Sequence, residues 1–131
     1  LLFQSSHLSI SAWVSLPGIL ANNTSSLTLV DSQLNVSGSS SGGFFSTPSG
    51  GAISLSSNSA AFIDNSNINY VNTSFNTTSY GLVVQDATSM IAMQDGSLNV
   101  SGGFDASLTN GPNISFSGVS CTLYGGVVRC Q

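Results

Sequence analysis

Charge is what this sequence most lacks: it has no lysine, no glutamate, one arginine and five aspartates in 131 residues. Without a basic surface, nothing neutralises phosphates, which argues against nucleic-acid binding and against attachment to anionic membranes by charge. His7 is the only histidine and Cys121 and Cys130 the only cysteines, a set too sparse and wrongly spaced for zinc, so neither metal nor cofactor is expected. No apolar run approaches the roughly 18–20 residues that span a bilayer, so no membrane insertion is expected. The apolar opening LLF…SAWVSLPGILA lacks the basic region of a signal peptide. A helix-period stripe of useful length is missing too.

What is present is 40% hydrophobic residues, enough to drive an ordered core, and a polar remainder of Ser, Thr, Asn and Gly that suits tight turns. The chain is organised around GAISLSSNSAAFIDNSNINYVN at 51–72. Laid on it without gaps, 17–38 and 81–102 put apolar residues at the same places. Ile19, Ile53 and Val83 fall together, as do Leu29, Ile63 and Met93, then Leu34, Ile68 and Leu98, then Val36, Tyr70 and Val100. LNVSG occurs twice, at 34–38 and 98–102. A supersecondary unit repeated at this length marks a solenoid.

Within each unit the alternation has period two, in three short segments separated by Ser/Asn/Asp corners, and so predicts strands. The fold expected is all-β: a single-stranded parallel β-helix (β-solenoid) of about four to five coils with a C-terminal hairpin. One domain covers 1–131. It comprises a partial coil at 1–12, units at 17–38, 51–72 and 81–102, and a C-terminal cap or hairpin at 103–131. Within the last segment NISFSG at 113–118 reads as either a shortened coil or a capping strand.

Asn-x-Ser/Thr occurs at Asn22, Asn23, Asn35, Asn72, Asn76, Asn99 and Asn113. Chance alone predicts about three or four such sequons at this Ser/Thr content. Asn35 and Asn99 each sit between two inward apolar residues, which points them outward. N-glycosylation through a secretory route is expected. Cys121 and Cys130 flank a Gly125-Gly126 hairpin signal, which pairs Tyr124 with Val127 and brings the two sulfurs together as a disulfide. A disulfide in turn implies an oxidising compartment, extracellular or at the cell surface.

GGAI at 50–53, Ile63-Asp64-Asn65 and Tyr70-Val71-Asn72 resemble the repeat of polymorphic outer-membrane proteins. That resemblance, covering about 50–102, implies a right-handed pectate-lyase-like β-helix with a surface-displayed scaffold or adhesive role.

No catalytic residue is assigned. Asp31, Asn65 and Asp95 align at one corner, where turn capping is the expected role. A polysaccharide lyase or hydrolase would have to draw on Asp31 and Asp95, about 10 Å apart across two coils. The expected function is therefore a non-enzymatic extracellular structural glycoprotein. Its solenoid ends would stack head-to-tail with a second copy into a filament or coat, unless the disulfide hairpin caps a monomer. The alternative is an adhesin-type module that binds carbohydrate or protein at a loop carrying Phe44 and Phe45.

Overall fold

Alternating apolar and polar residues set the local structure. In Ser26–Val30, Leu27 and Leu29 are buried while the alternate residues face outward. The computed structural model describes residues 1–13, 18–39, 51–73, 78–102 and 105–130. Among these residues there are thirteen strands and no helix. They are β1 (Leu2–Gln4), β2 (His7–Trp13), β3 (Ile19–Ala21), β4 (Ser26–Val30), β5 (Gln33–Ser39), β6 (Ile53–Leu55) and β7 (Ala60–Asn72), followed by β8 (Thr78–Val84), β9 (Met90–Gly102), β10 (Asp105–Asn110), β11 (Ile114–Ser117), β12 (Ser120–Leu123) and β13 (Gly126–Val128). The fold is all-β.

Strands pair with their equivalents in the next repeat, and all these pairings are parallel. The first strand of each repeat joins a four-stranded sheet of β3, β6, β8 and β10. Second and third strands form a nine-stranded sheet, made continuous because β7 and β9 each run 13 residues round the corner between those positions. That larger sheet is mixed, since β13 pairs antiparallel with β12.

The register builds straight apolar columns. Phe3, Leu29, Ile63, Met93 and Phe116 are successive partners. Leu8, Leu34, Ile68, Leu98 and Cys121 form another, and Ile10, Val36, Tyr70, Val100 and Leu123 a third. Their central members are buried and make one core with Leu27, Leu55, Leu82 and Ile91. Burial of these side chains against neighbouring repeats is the main stabilising term, because no single repeat has an inside of its own.

The corner between second and third strands has two residues in every repeat: 5–6, 31–32, 65–66, 95–96 and 118–119. Its first residue is left-handed each time, with φ of 48° at Ser5, 48° at Asp31, 43° at Asn65, 53° at Asp95 and 66° at Gly118. Asn, Asp and Gly tolerate this conformation best. The second residue points inward. Ser32 N–H donates to Ser66 Oγ (3.0 Å), Ser66 Oγ–H donates to Asp64 O (2.8 Å), and Ser6 N–H donates to Ser32 Oγ (3.2 Å). At Gly96 this column changes residue because a Cβ there would lie 2.1 Å from Ser66 O.

A second serine column lines the turn between first and second strands. Ser25 N–H donates to Ser59 Oγ (3.2 Å) and Ser59 N–H to Ser89 Oγ (3.0 Å). That turn varies in length: residues 22–25, 56–59, 85–89 and 111–113. The extra residue in 85–89 corrects the gapless alignment of the sequence, because Ile53 pairs with Leu82 and not with Val83.

One further expectation changes at the C-terminal end. The hairpin turns at Tyr124-Gly125, pairing Leu123 with Gly126 and Cys121 with Val128, because Tyr124 (φ 52°) and Gly125 (φ 78°) supply the two left-handed residues such a turn needs. Ile114–Ser117 of NISFSG pair with Ile91–Gln94, the second-strand position, so this segment is a layer reached by a shorter connection. The disulfide is present: Cys121 and Cys130 are bonded, with Cα atoms 5.5 Å apart.

Candidate functional site

The outward side of the third strands carries the most organised surface chemistry. Ser9, Asn35, Asn69, Asn99 and Thr122 are successive partners on β2, β5, β7, β9 and β12. The side chains of Asn35, Asn69, Asn99 and Thr122 form a hydrogen-bonded column along the stack. Thr122 Oγ1–H donates to Asn99 Oδ1, Asn99 Nδ2 to Asn69 Oδ1 (2.7 Å), and Asn69 Nδ2 to Asn35 Oδ1 (2.8 Å). Asn35 Nδ2 in turn donates to His7 Nε2 (3.1 Å). Repeats stack at the strand spacing of about 4.8 Å, which suits one amide reaching the next.

Beside this column lie Gln33, Asn67 and Ser97, where Ser97 Oγ–H donates to Asn67 Oδ1 (2.7 Å). On its other flank lie Ser11, Ser37, Val71 and Ser101. A shallow groove of about 260 Å³ opens among Ser9, Ser11, Asn35, Ser37, Asn69 and Val71. Its lining is uncharged. Such a surface offers directional donors and acceptors without net charge, the chemistry that matches neutral hydroxyl-bearing ligands.

The aligned corner residues Asp31, Asn65 and Asp95 come together as expected. Asn65 Nδ2 donates to Asp31 Oδ1 (2.7 Å), and Asn65 stands between the two aspartates in the stack. All three carry the left-handed φ that their corner requires, so the geometry accounts for them as turn residues. Among the described residues no group of three His, Cys, Asp or Glu side chains is arranged to hold a metal ion. No described helix is long and apolar enough to cross a membrane.

The sequons fall in different environments. Asn22 and Asn23 are exposed in the turn before β4, and Asn35 and Asn99 are half-buried members of the amide column. Asn72 is only 2% exposed. Asn113 is exposed, but its Nδ2 donates both to Ala87 O (2.9 Å) and to Ser89 O (3.1 Å). Asn76 and the loop carrying Phe44 and Phe45 lie outside the described residues.

Sequence reasoning missed Asp86. Its Oδ1 accepts from Thr88 N–H (2.9 Å), Thr88 Oγ1–H (2.6 Å) and Ser89 N–H (2.9 Å), and its Oδ2 accepts from Ser57 N–H in the preceding repeat. These donors, the Thr88 side chain first, hold the carboxyl well below the ordinary carboxylate range. The signal was available: Asp-x-Thr-Ser is the pattern of an Asx-turn, and it opens the one turn of five residues. Compared with known families, curated proteins and solved structures, the chain matches none.

Proposed function

We propose that this chain is a non-enzymatic structural module of the extracellular space or cell surface, a single-stranded parallel β-helix bearing N-linked sugar. The observation that carries this reading is the register. Five equivalent residues follow one another in each of several columns, apolar inside and amide- or hydroxyl-bearing outside. Rigid repetition of one surface along an axis is what a scaffold or coat requires. The Cys121–Cys130 bond supports an oxidising compartment. The likeness of GGAI and its companions to polymorphic outer-membrane repeats is in keeping with surface display.

Head-to-tail self-association belongs to the same proposal, with one constraint. β13 adds a strand at the third position only, so that end is stepped by about one strand spacing of 4.8 Å. A second copy therefore meets it through β2 against the free edge of β13, where Val127 is 89% exposed. Electron microscopy of the full chain tests this. Filaments that disappear in Val127→Pro support it, and discrete particles at every concentration remove it.

The groove on the amide face favours a second reading, an adhesin-type module for neutral carbohydrate. Saturable binding to a glycan array that is lost in Asn69→Ala would replace the purely structural role.

A further inference from the structure

The amide protons of the asparagines decide which sequon can carry a sugar, an inference that rests on the glycoprotein reading above. N-glycosylation joins Nδ2 to C1 of a sugar delivered by a lipid-linked oligosaccharide diphosphate. The C1–O bond breaks, the diphosphate leaves with the electron pair, and Nδ2 gives up one of its two protons. In the finished fold, a glycosylated asparagine therefore needs one Nδ2 proton that serves no hydrogen bond, and space beyond it.

The described sequons divide on that criterion. Asn72 has no space, being 2% exposed between β7 and its neighbours. Asn113 has no spare proton, since Ala87 O and Ser89 O take both and anchor the turn before β11. Asn35 and Asn99 each commit one proton to the amide column and are half-buried. Asn22 and Asn23 are exposed, and among the described residues neither side chain makes a hydrogen bond. Their turn also flanks a hollow of about 300 Å³ walled by Leu20, Ala21 and Ser25, with Leu20 52% exposed. A first sugar there has a surface to lie against; of the equivalent turns, 56–59 and 85–89 carry no Asn-x-Ser/Thr, and 111–113 carries Asn113, whose Nδ2 protons are both taken.

We propose that, among the described sequons, the Asn22–Asn23 turn is the N-glycan attachment site of the folded protein, carrying one oligosaccharide, and that Asn72 and Asn113 stay bare. The test is to secrete the full chain from eukaryotic cells, release glycans enzymatically in ¹⁸O-water and map the label by peptide mass spectrometry. The expected result is label at Asn22 or Asn23, none at Asn72 or Asn113, and loss of one oligosaccharide's mass in the Asn22→Gln/Asn23→Asp double variant. Both residues are exposed and Asp tolerates the left-handed φ of 54° at position 23, so the variant's unfolding midpoint should match the parent and exclude misfolding as the cause. Label at Asn72 or Asn113, or at Asn35 or Asn99 with Asn22 and Asn23 unlabelled, overturns the site assignment alone. A chain with no label anywhere overturns the glycoprotein reading and the assignment with it.

Discussion

Two bends join the strands of each repeat, and they obey different rules. The corner at 31–32, 65–66 and 95–96 never changes length, whereas the turn at 22–25, 56–59, 85–89 and 111–113 takes four, four, five or three residues. At the corner, one left-handed residue is followed at once by an inward one, so an added residue turns every following side chain to the wrong face. The turn satisfies part of its backbone with its own side chains, as Asp86 does, and part with side chains of the next repeat. Register is transmitted by the first bend, and length variation is absorbed by the second.

The sharpest way to break this contrast is insertion. A glycine placed between Asn65 and Ser66 should abolish cooperative unfolding by circular dichroism, because Ile68 and Tyr70 would face outward. The same glycine between Ser57 and Asn58 should change stability by only about 1 kcal/mol, since loop closure depends weakly on length. Next is Gly96→Ala, which drives a Cβ to 2.1 Å from Ser66 O at φ +83°. A loss of about 3 kcal/mol or more in denaturant melts is expected. Gly125→Ala, with nothing within 4 Å of its Cβ, should lose about 1 kcal/mol.

The two serine columns should differ from each other. Ser66→Ala strands the N–H of buried Ser32 and should lose about 1–3 kcal/mol. Ser59→Ala leaves the N–H of exposed Ser25 to water and should lose about 0.5–1.5 kcal/mol. The smallest effect belongs to Asp86, whose folded-state carboxyl is depressed by its donors. Its stabilisation is full above the ordinary value of 3.8 and drains away as pH falls below it, because the unfolded carboxyl then binds a proton first. Asp86→Asn should therefore flatten the acid limb of a stability–pH profile and leave the neutral region nearly unchanged in slope.

The sequence disclosed the columns at Leu29, Leu34, Val36 and their partners because apolar identity survives in every repeat. It placed Asn35 and Asn99 outward for the same reason. It failed by one residue at Val83, where a longer turn intervenes without disturbing either flanking pattern. The hairpin slipped similarly: two glycines drew the turn to 125–126, yet Tyr124 accepts a left-handed φ and moves it. The inward serines at 32, 59, 66 and 89 were invisible to composition, which assigns hydroxyls to the outside. Their hydrogen bonds to the backbone, of an adjacent repeat or of their own corner, explain why they lie within. The amide column itself was legible as facing direction but not as a bonded chain, since bonding depends on rotamers that no spacing encodes.

That chain also has a polarity. Every link from Thr122 through Asn99, Asn69 and Asn35 hands its hydrogen toward the first repeat, and the last acceptor is a single imidazole nitrogen at His7. Turning over a single amide would set donor against donor on one side and acceptor against acceptor on the other, so the outer wall keeps one orientation as a unit.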